Sequence, residues 1–359
     1  MEHKTRLLIV DDSAYVRSTL AKKLGCDPEI EIVGYAQDGI EAVEKTAILK
    51  PDVITMDVVM PRMDGITALE RIMLECPTPV VMLSALTAEG AESTIKALAM
   101  GAVDFFLKHS VASPAGHEET TQELIHKIKG AAGVTISRRK IIAKPRPAHQ
   151  QIHKPAVRSS SSINRVVIIG SSTGGPQALC ELIPALSASI PAPILIVQHM
   201  PEGFTRSLAD RLNQISEITV KEAQSGDLIW PGQALLAPGG YHMIIAKNGK
   251  IGLDKGPTEC GVRPSVNITM ESVARVYGNS SLGVVLTGMG SDGTRGATLI
   301  KAAGGNVIVE DKSTCAIYGM PGSVVEAGAA DKVLPLHMMA REITRTCGKK
   351  ADRHSTVRV

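Results

Sequence analysis

From residue 7 onward, short β-branched and aliphatic runs alternate with longer stretches whose apolar positions recur every three to four residues. The runs are Leu7–Val10, Ile30–Val33, Val53–Met56, Val80–Leu83 and Val103–Leu107. Between them lie the helical stretches Ala14–Leu24, Gly39–Leu49, Thr67–Glu75 and Ser93–Met100, and Glu118–Lys129 closes the series. Five strands alternating with five helices predict one doubly wound parallel sheet, because parallel neighbours need connections long enough to hold a helix. This first α/β unit spans 4–130.

Residues 131–162 break the pattern. Pro145, Pro147, Pro155 and the run Ser159–Ser162 predict an extended, solvated linker. Alternation then resumes with a strand at Val166–Ile169, a helix at Gly175–Leu186, a strand at Ile194–Gln198 and a helix near Phe204–Asn213. The stretch Ile218–Ile251, rich in Gly, Pro and alternating apolar residues, predicts antiparallel hairpins. Parallel alternation returns at Leu282–Leu286, Ala297–Ala303 and Val307–Glu310. The second unit is therefore a Rossmann-like α/β domain over 163–347, followed by a polar tail, 348–359.

Charge changes this picture in one place. The chain carries 39 Lys and Arg against 36 Asp and Glu. Seven of those bases, with no acid among them, fall between Ala131 and Asn164, so the folded parts hold 32 bases against 36 acids. The basic excess belongs to the linker, which argues against a nucleic-acid-binding surface on either domain. Aromatic residues are only 3% of the chain, too few for base-stacking platforms or sugar-stacking clefts. The six cysteines are scattered without a C-x-x-C pair, so neither a disulfide framework nor a zinc site is signalled. The opening MEHKTRLLIVDD meets two acids after four apolar residues, and no apolar run approaches the ~18 of a membrane helix. A cytoplasmic, reduced protein is expected.

In an open parallel sheet, ligands bind at the carboxyl ends of the strands. Those of the first domain end in Asp11-Asp12, Asp57, Ser84 and Lys108. Singly, each has a bland explanation: Asp12 or Ser13 as a helix cap, Asp57 as a turn residue, Lys108 as a surface lysine. Together they describe a pocket. Three carboxylates on one edge call for a hard cation such as Mg²⁺, and a lysine and hydroxyl beside them suit phosphoryl oxygens. An aspartate there can itself act as nucleophile and form an acyl phosphate.

The segments LLIVDDS, DVITMDVVMPRMDG, VVMLSA and GAVDFFLK resemble the receiver domain of bacterial two-component response regulators. The resemblance implies that Asp57 accepts a phosphoryl group from a sensor histidine kinase. It implies Asp11, Asp12, Asp57 and the backbone of Val59 as the Mg²⁺ site, Ser84 and Lys108 as phosphoryl-binding residues, and Phe105 as the aromatic switch. His109 stands where the family usually has proline after the lysine.

In the second domain a strand runs into Gly170-Ser171-Ser172-Thr173-Gly174-Gly175, the next delivers His199, and a later one runs into Gly288-Met289-Gly290-Ser291-Asp292-Gly293. Serine, histidine and aspartate thus emerge at one sheet edge, the ingredients of acyl transfer through a serine nucleophile. His242 is the rival base. Two other functions compete. Gly288-x-Gly290-x-x-Gly293 is a literal dinucleotide fingerprint, and Glu310 ends the following strand, which would suit a nicotinamide-dependent oxidoreductase. A DNA-binding regulator is the third class, but no helix-turn-helix pattern is visible.

The segments GSSTGGPQAL, QHMPEGFTRSLADRLN, VKEAQSGDLIWPGQALLAPGGYHM, GVRPSVNITMESVA and LTGMGSDGTRGA closely resemble the catalytic domain of the chemotaxis response-regulator methylesterases, the CheB family. The resemblance implies a hydrolase that demethylates glutamyl methyl esters on methyl-accepting chemoreceptors and deamidates selected glutamines, with a chemotaxis histidine kinase as phosphodonor. It implies Ser172 as nucleophile, His199 as general base, Asp292 as its orienting acid, the backbone of Met289 in the oxyanion hole and Thr173 as support, with no cofactor for ester hydrolysis. Two serines are adjacent here, and only this motif register selects Ser172 over Ser171. An unphosphorylated receiver is expected to block the catalytic edge until Asp57 is phosphorylated.

Overall fold

The structure, a computed structural model, describes residues 4–108, 118–134 and 165–348. The chain divides into two units, Met1–Ala143 and Lys144–Val359. His109, most of the expected linker and the tail from 349 lie outside the described residues.

In the first unit, β1 (Thr5–Val10), β2 (Ile30–Ala36), β3 (Val53–Asp57), β4 (Val80–Ser84) and β5 (Asp104–Leu107) form a parallel sheet in the order β2-β1-β3-β4-β5. Helices α1 (Ala14–Leu24), α2 (Gly39–Leu49), α3 (Gly65–Glu75), α4 (Ala88–Ala99) and α5 (Glu118–Ala132) follow the strands. The β1, β3 and β4 runs are buried on both faces, as continuous apolar strands under two helical layers should be. Ser13, Asp38, Asp64 and Thr87 each accept an N–H from the first turn of the helix they precede. The Thr87 cap sets α4 off five residues before the predicted start at Ser93. Strand order reverses between β1 and β3, so the binding crevice opens where Asp11, Asp12 and Asp57 emerge.

The second unit holds a seven-stranded sheet in the order β14-β13-β12-β6-β7-β9-β8, every neighbouring pair parallel. Its elements run β6 (Val166–Ser171), α6 (Gly175–Leu182), β7 (Ile194–Gln198), α7 (Phe204–Ile215), β8 (Thr219–Glu222) and β9 (Gln233–Leu236). The hairpin β10 (His242–Ile245) and β11 (Ile251–Asp254) comes next, then α8 (Val266–Tyr277), β12 (Ser281–Val285), α9 (Thr294–Ala302) and β13 (Asn306–Glu310). The domain ends with α10 (Gly319–Glu326), β14 (Lys332–Leu334) and α11 (Leu336–Gly348).

Only β10 and β11 form the antiparallel hairpin predicted over Ile218–Ile251. The expected antiparallel partners β8 and β9 instead extend the main sheet in parallel. Alternating polarity fixes which face of a strand is buried and carries no information on its direction. The α7 face shows the same logic in helical form: Phe204, Thr205, Leu208, Ala209 and Leu212 are buried at helical spacing. β6 lies between β12 and β7, so the chain reverses order across β6 and β12. The loops carrying Ser172 and Asp292 leave the sheet at this second switch point.

Candidate active site

In the first unit, Asp11, Asp12 and Asp57 bring carboxylate oxygens within 4.8 Å of one another. Ser13 caps α1, which leaves Asp12 exposed and uncommitted to that role. Lys108 Nζ lies 2.5 Å from Asp57 Oδ2 and 2.9 Å from Asp11 Oδ2. Burial pushes the Asp57 carboxyl above the usual carboxylate range; Lys108 opposes the shift and Asp11 adds to it. Burial also opposes the Lys108 charge, but hydrogen bonds to Asp57 and Asp11 prevail and raise its pKa. A pocket with more carboxylate than cation, built from oxygen donors, fits a divalent metal such as Mg²⁺.

Ser84 Oγ is fully buried and turned into α4, where it accepts from Thr94 Oγ1 at 2.7 Å and donates to Gly90 O at 3.2 Å. Contact with a phosphoryl group would require those bonds to be exchanged. Phe105 is buried, with Lys127 Nζ 5.9 Å from its ring centroid, while Val59 is exposed and its backbone N–H bonds the Asp57 carboxylate.

In the second unit, β6 and β7 pair with Ser171 opposite Gln198, so Ser172 and His199 leave neighbouring strands side by side. His199 N–H donates to Ser171 O at 3.1 Å, tying the two strand ends together. Ser171 is fully buried, and its Oγ donates to Gln198 Oε1 at 2.7 Å. Gln198 Nε2 reaches back to Ser172 O at 2.9 Å and His199 O at 3.2 Å. Ser172 itself is half-buried, past the strand end, with no hydrogen bond to its hydroxyl among the described residues.

His199 Nε2 donates to Asp292 Oδ2 at 2.8 Å. This reverses the ring relative to serine-protease triads, where Nδ1 faces the aspartate, and Nδ1 has no hydrogen bond among the described residues. Asp292 is buried and accepts four further bonds: Val266 N–H at 2.7 Å, Ser265 Oγ at 2.9 Å, Gly293 N–H at 2.9 Å and Asn267 N–H at 3.0 Å. Burial alone would raise its pKa; His199 and the backbone donors prevail and hold it below the ordinary aspartate value. The start of α8 is thus an anion cradle with Asp292 in it.

Thr287 braces the Ser172 turn. Its carbonyl accepts Ser172 N–H at 3.1 Å, and its hydroxyl donates to Thr173 O at 3.0 Å. Thr173 is buried. Gly288 has no room for a side chain: a Cβ there would lie 2.4 Å from Met320 Sδ and 2.8 Å from Ser172 Cβ. Met289 N–H, next along, donates to no group among the described residues.

The rivals are accounted for locally. Glu310 is fully buried, its carboxylate taken by Thr287 N–H at 2.8 Å and Thr314 Oγ1 at 2.9 Å, so it is turned away from any ribose. His242 is buried with both ring nitrogens bonded, to Pro257 O and to Ser265 N–H. A second potential ligand cluster, Glu259, Cys260 and Asp292, is already satisfied, because Arg295 and Asn267 hold Glu259. Gln198, Ser265, Asn267 and Thr287 are site residues that the sequence reading missed. Ser265 stands at the N-cap of α8, but its hydroxyl serves Asp292 instead of the helix.

Residues 7–114 match the response regulator receiver domain family, and 167–343 match the CheB methylesterase family. A protein-glutamate methylesterase/protein-glutamine glutaminase of Symbiobacterium thermophilum is 48% identical over 97% of this chain and 99% of its own length. Its Thermotoga maritima counterpart is 47% identical over 94% and 97%. The crystal structure of the Thermotoga maritima CheB methylesterase catalytic domain covers 51% of this chain and 98% of its own, at 49% identity and TM-score 0.50. No helix among the described residues is long and apolar enough to cross a membrane. With such identity over almost its entire length, the chain belongs to the protein-glutamate methylesterase/protein-glutamine glutaminase family, a receiver domain joined to a CheB methylesterase domain.

Proposed function

We propose that this chain is a phosphorylation-activated cytoplasmic hydrolase that removes methyl groups from glutamyl esters on chemoreceptors and deamidates selected glutamines, giving adaptation in chemotaxis. The observation that carries the catalytic assignment is the hydrogen bond from His199 Nε2 to a buried, ionised Asp292, one strand from Ser172.

In this reading His199 Nδ1 takes the proton from Ser172 Oγ as the oxygen attacks the ester carbonyl carbon. Asp292 holds the ring and stabilises the imidazolium. Met289 N–H, uncommitted to any described group, donates to the oxyanion as charge develops on it. His199 returns the proton to the departing methoxy oxygen, releasing methanol and leaving an acyl-serine. Water, deprotonated by His199, then attacks the acyl carbon, freeing the glutamate carboxylate and restoring Ser172. With glutamine, ammonia leaves in place of methanol.

Asp57 is the phosphoryl acceptor in the receiver, with a histidine kinase as donor. Asp11, Asp12, Asp57 and the Val59 carbonyl would hold Mg²⁺, which supplies charge neutralisation for incoming phosphoryl oxygens. Lys108 supplies a fixed cation beside Asp57. The test is methanol release from a methylated chemoreceptor fragment: Ser172→Ala should lower kcat on the order of 10⁴-fold or more. A loss of tenfold or less would overturn the assignment.

A further inference from the structure

His242 was a rival for the catalytic base, yet its geometry suits another task. Its side chain is 1% exposed. Nε2 lies 2.9 Å from Pro257 O, a group that only accepts, and Nδ1 lies 3.1 Å from Ser265 N–H, a group that only donates. One tautomer satisfies both: neutral imidazole with its proton on Nε2. Neither nitrogen is left for substrate.

The bond to Ser265 fixes the residue at the head of the Asp292 cradle. From there Ser265 Oγ, Val266 N–H and Asn267 N–H converge on the two carboxylate oxygens, and Oδ2 receives His199 Nε2. His242 is therefore linked to the base through three successive hydrogen bonds, by way of Ser265 and Asp292. We propose that His242, as the neutral Nε2–H tautomer, is a positioning residue for the hydrolysis: it sets the Ser265–Asn267 turn, and through Asp292 the orientation of the His199 ring. This rests on the function proposed above, with His199 as base.

A rigid five-membered ring with an acceptor and a donor on opposite sides meets both demands at once, and no amide side chain does. Asparagine places its oxygen near the Nδ1 position and can accept from Ser265 N–H. Glutamine reaches toward the Nε2 position and can serve only Pro257. The two variants separate positioning of the cradle from support of the loop beyond it.

The experiment uses the full-length chain and compares His242→Ala, His242→Asn and His242→Gln with wild type in methanol release. His242→Ala is expected to lower kcat by about 10²-fold, the cost of misplacing a catalytic group by roughly 1 Å, with KM within about twofold. His242→Asn should regain most of that loss and His242→Gln little of it. An unchanged kcat in a folded His242→Ala, or rescue by glutamine and not asparagine, overturns the proposal. Tautomer assignment by long-range ¹H–¹⁵N NMR on the wild-type chain needs no variant to fold: Nε2–H on His242 is expected, and Nδ1–H overturns the proposal. If wild type releases no methanol, the functional reading fails on its own, and the NMR tautomer still judges the geometry.

Discussion

Ser171 Oγ donates to Gln198 Oε1 across the β6–β7 pair, and this bond sorts two serines that are neighbours in sequence. The side chain that ends the strand is buried in the core, and the next one, past the strand, is half-buried beside Gly288. Ser171→Ala should therefore cost stability, about 1–3 kcal/mol for an unmade buried bond to Gln198, with kcat changed severalfold at most. Thermal melts and methanol release on the same preparations check this; a Ser171→Ala enzyme as inactive as Ser172→Ala would contradict it.

Gly288 separates Thr287 from Met289 at the point where a Cβ would press on Met320 Sδ and Ser172 Cβ. Gly288→Ala should displace the Ser172 turn, at a cost of about 1–3 kcal/mol in overpacking. The expected signature is a kcat loss larger than the stability loss explains, seen by comparing turnover with melting temperature. Wild-type turnover would show that the turn has slack.

The carboxyl of Glu310 is buried among the neutral donors of Thr287, Thr314 and Cys315, and burial raises its pKa above the ordinary glutamate value. A raised folded-state pKa means the neutral form is preferred in the native state. That contribution is complete below the unfolded-state value of about 4.3 and is lost as pH rises through the folded one. Glu310→Gln keeps an oxygen for Thr287 N–H and cannot ionise. It should melt higher than wild type at pH 8, with a smaller difference at pH 5. A lower melting temperature for the variant at pH 8 would contradict this.

The parallel-sheet plan was legible because buried strands such as Ile194–Gln198 are unbroken apolar runs, and that strand has the bounds its sequence predicts. Direction was not legible for β8 and β9, whose alternation suits either sense of pairing. Helix α8 escaped the pattern reading because its buried face includes Asn267 and Thr269 as well as Val266, Met270 and Val273. The same residues explain the incomplete site. Ser172, His199 and Asp292 sit at strand ends, where chemistry can be read from order along the chain. Gln198, Ser265 and Thr287 act through contacts between segments far apart in sequence.

Removal of divalent metal should separate the two units. With EDTA, acyl phosphate on Asp57 should not form from a small phosphodonor, while basal methanol release should persist, since the ester chemistry is assigned to Ser172, His199, Asp292 and the Met289 backbone N–H. Phosphate incorporation and methanol measured in parallel check this. Basal release that vanished with the metal would contradict it.

The most direct measurement is methanol release by the full-length chain from methylated chemoreceptor fragments, with Mg²⁺ and with or without a small phosphodonor. Wild type, Ser172→Ala and Asp57→Asn are run together. Donor-stimulated release in wild type, none in Ser172→Ala and unstimulated basal release in Asp57→Asn is the predicted result. Methanol from Ser172→Ala, or equal stimulation in Asp57→Asn, would contradict a serine esterase governed by its receiver.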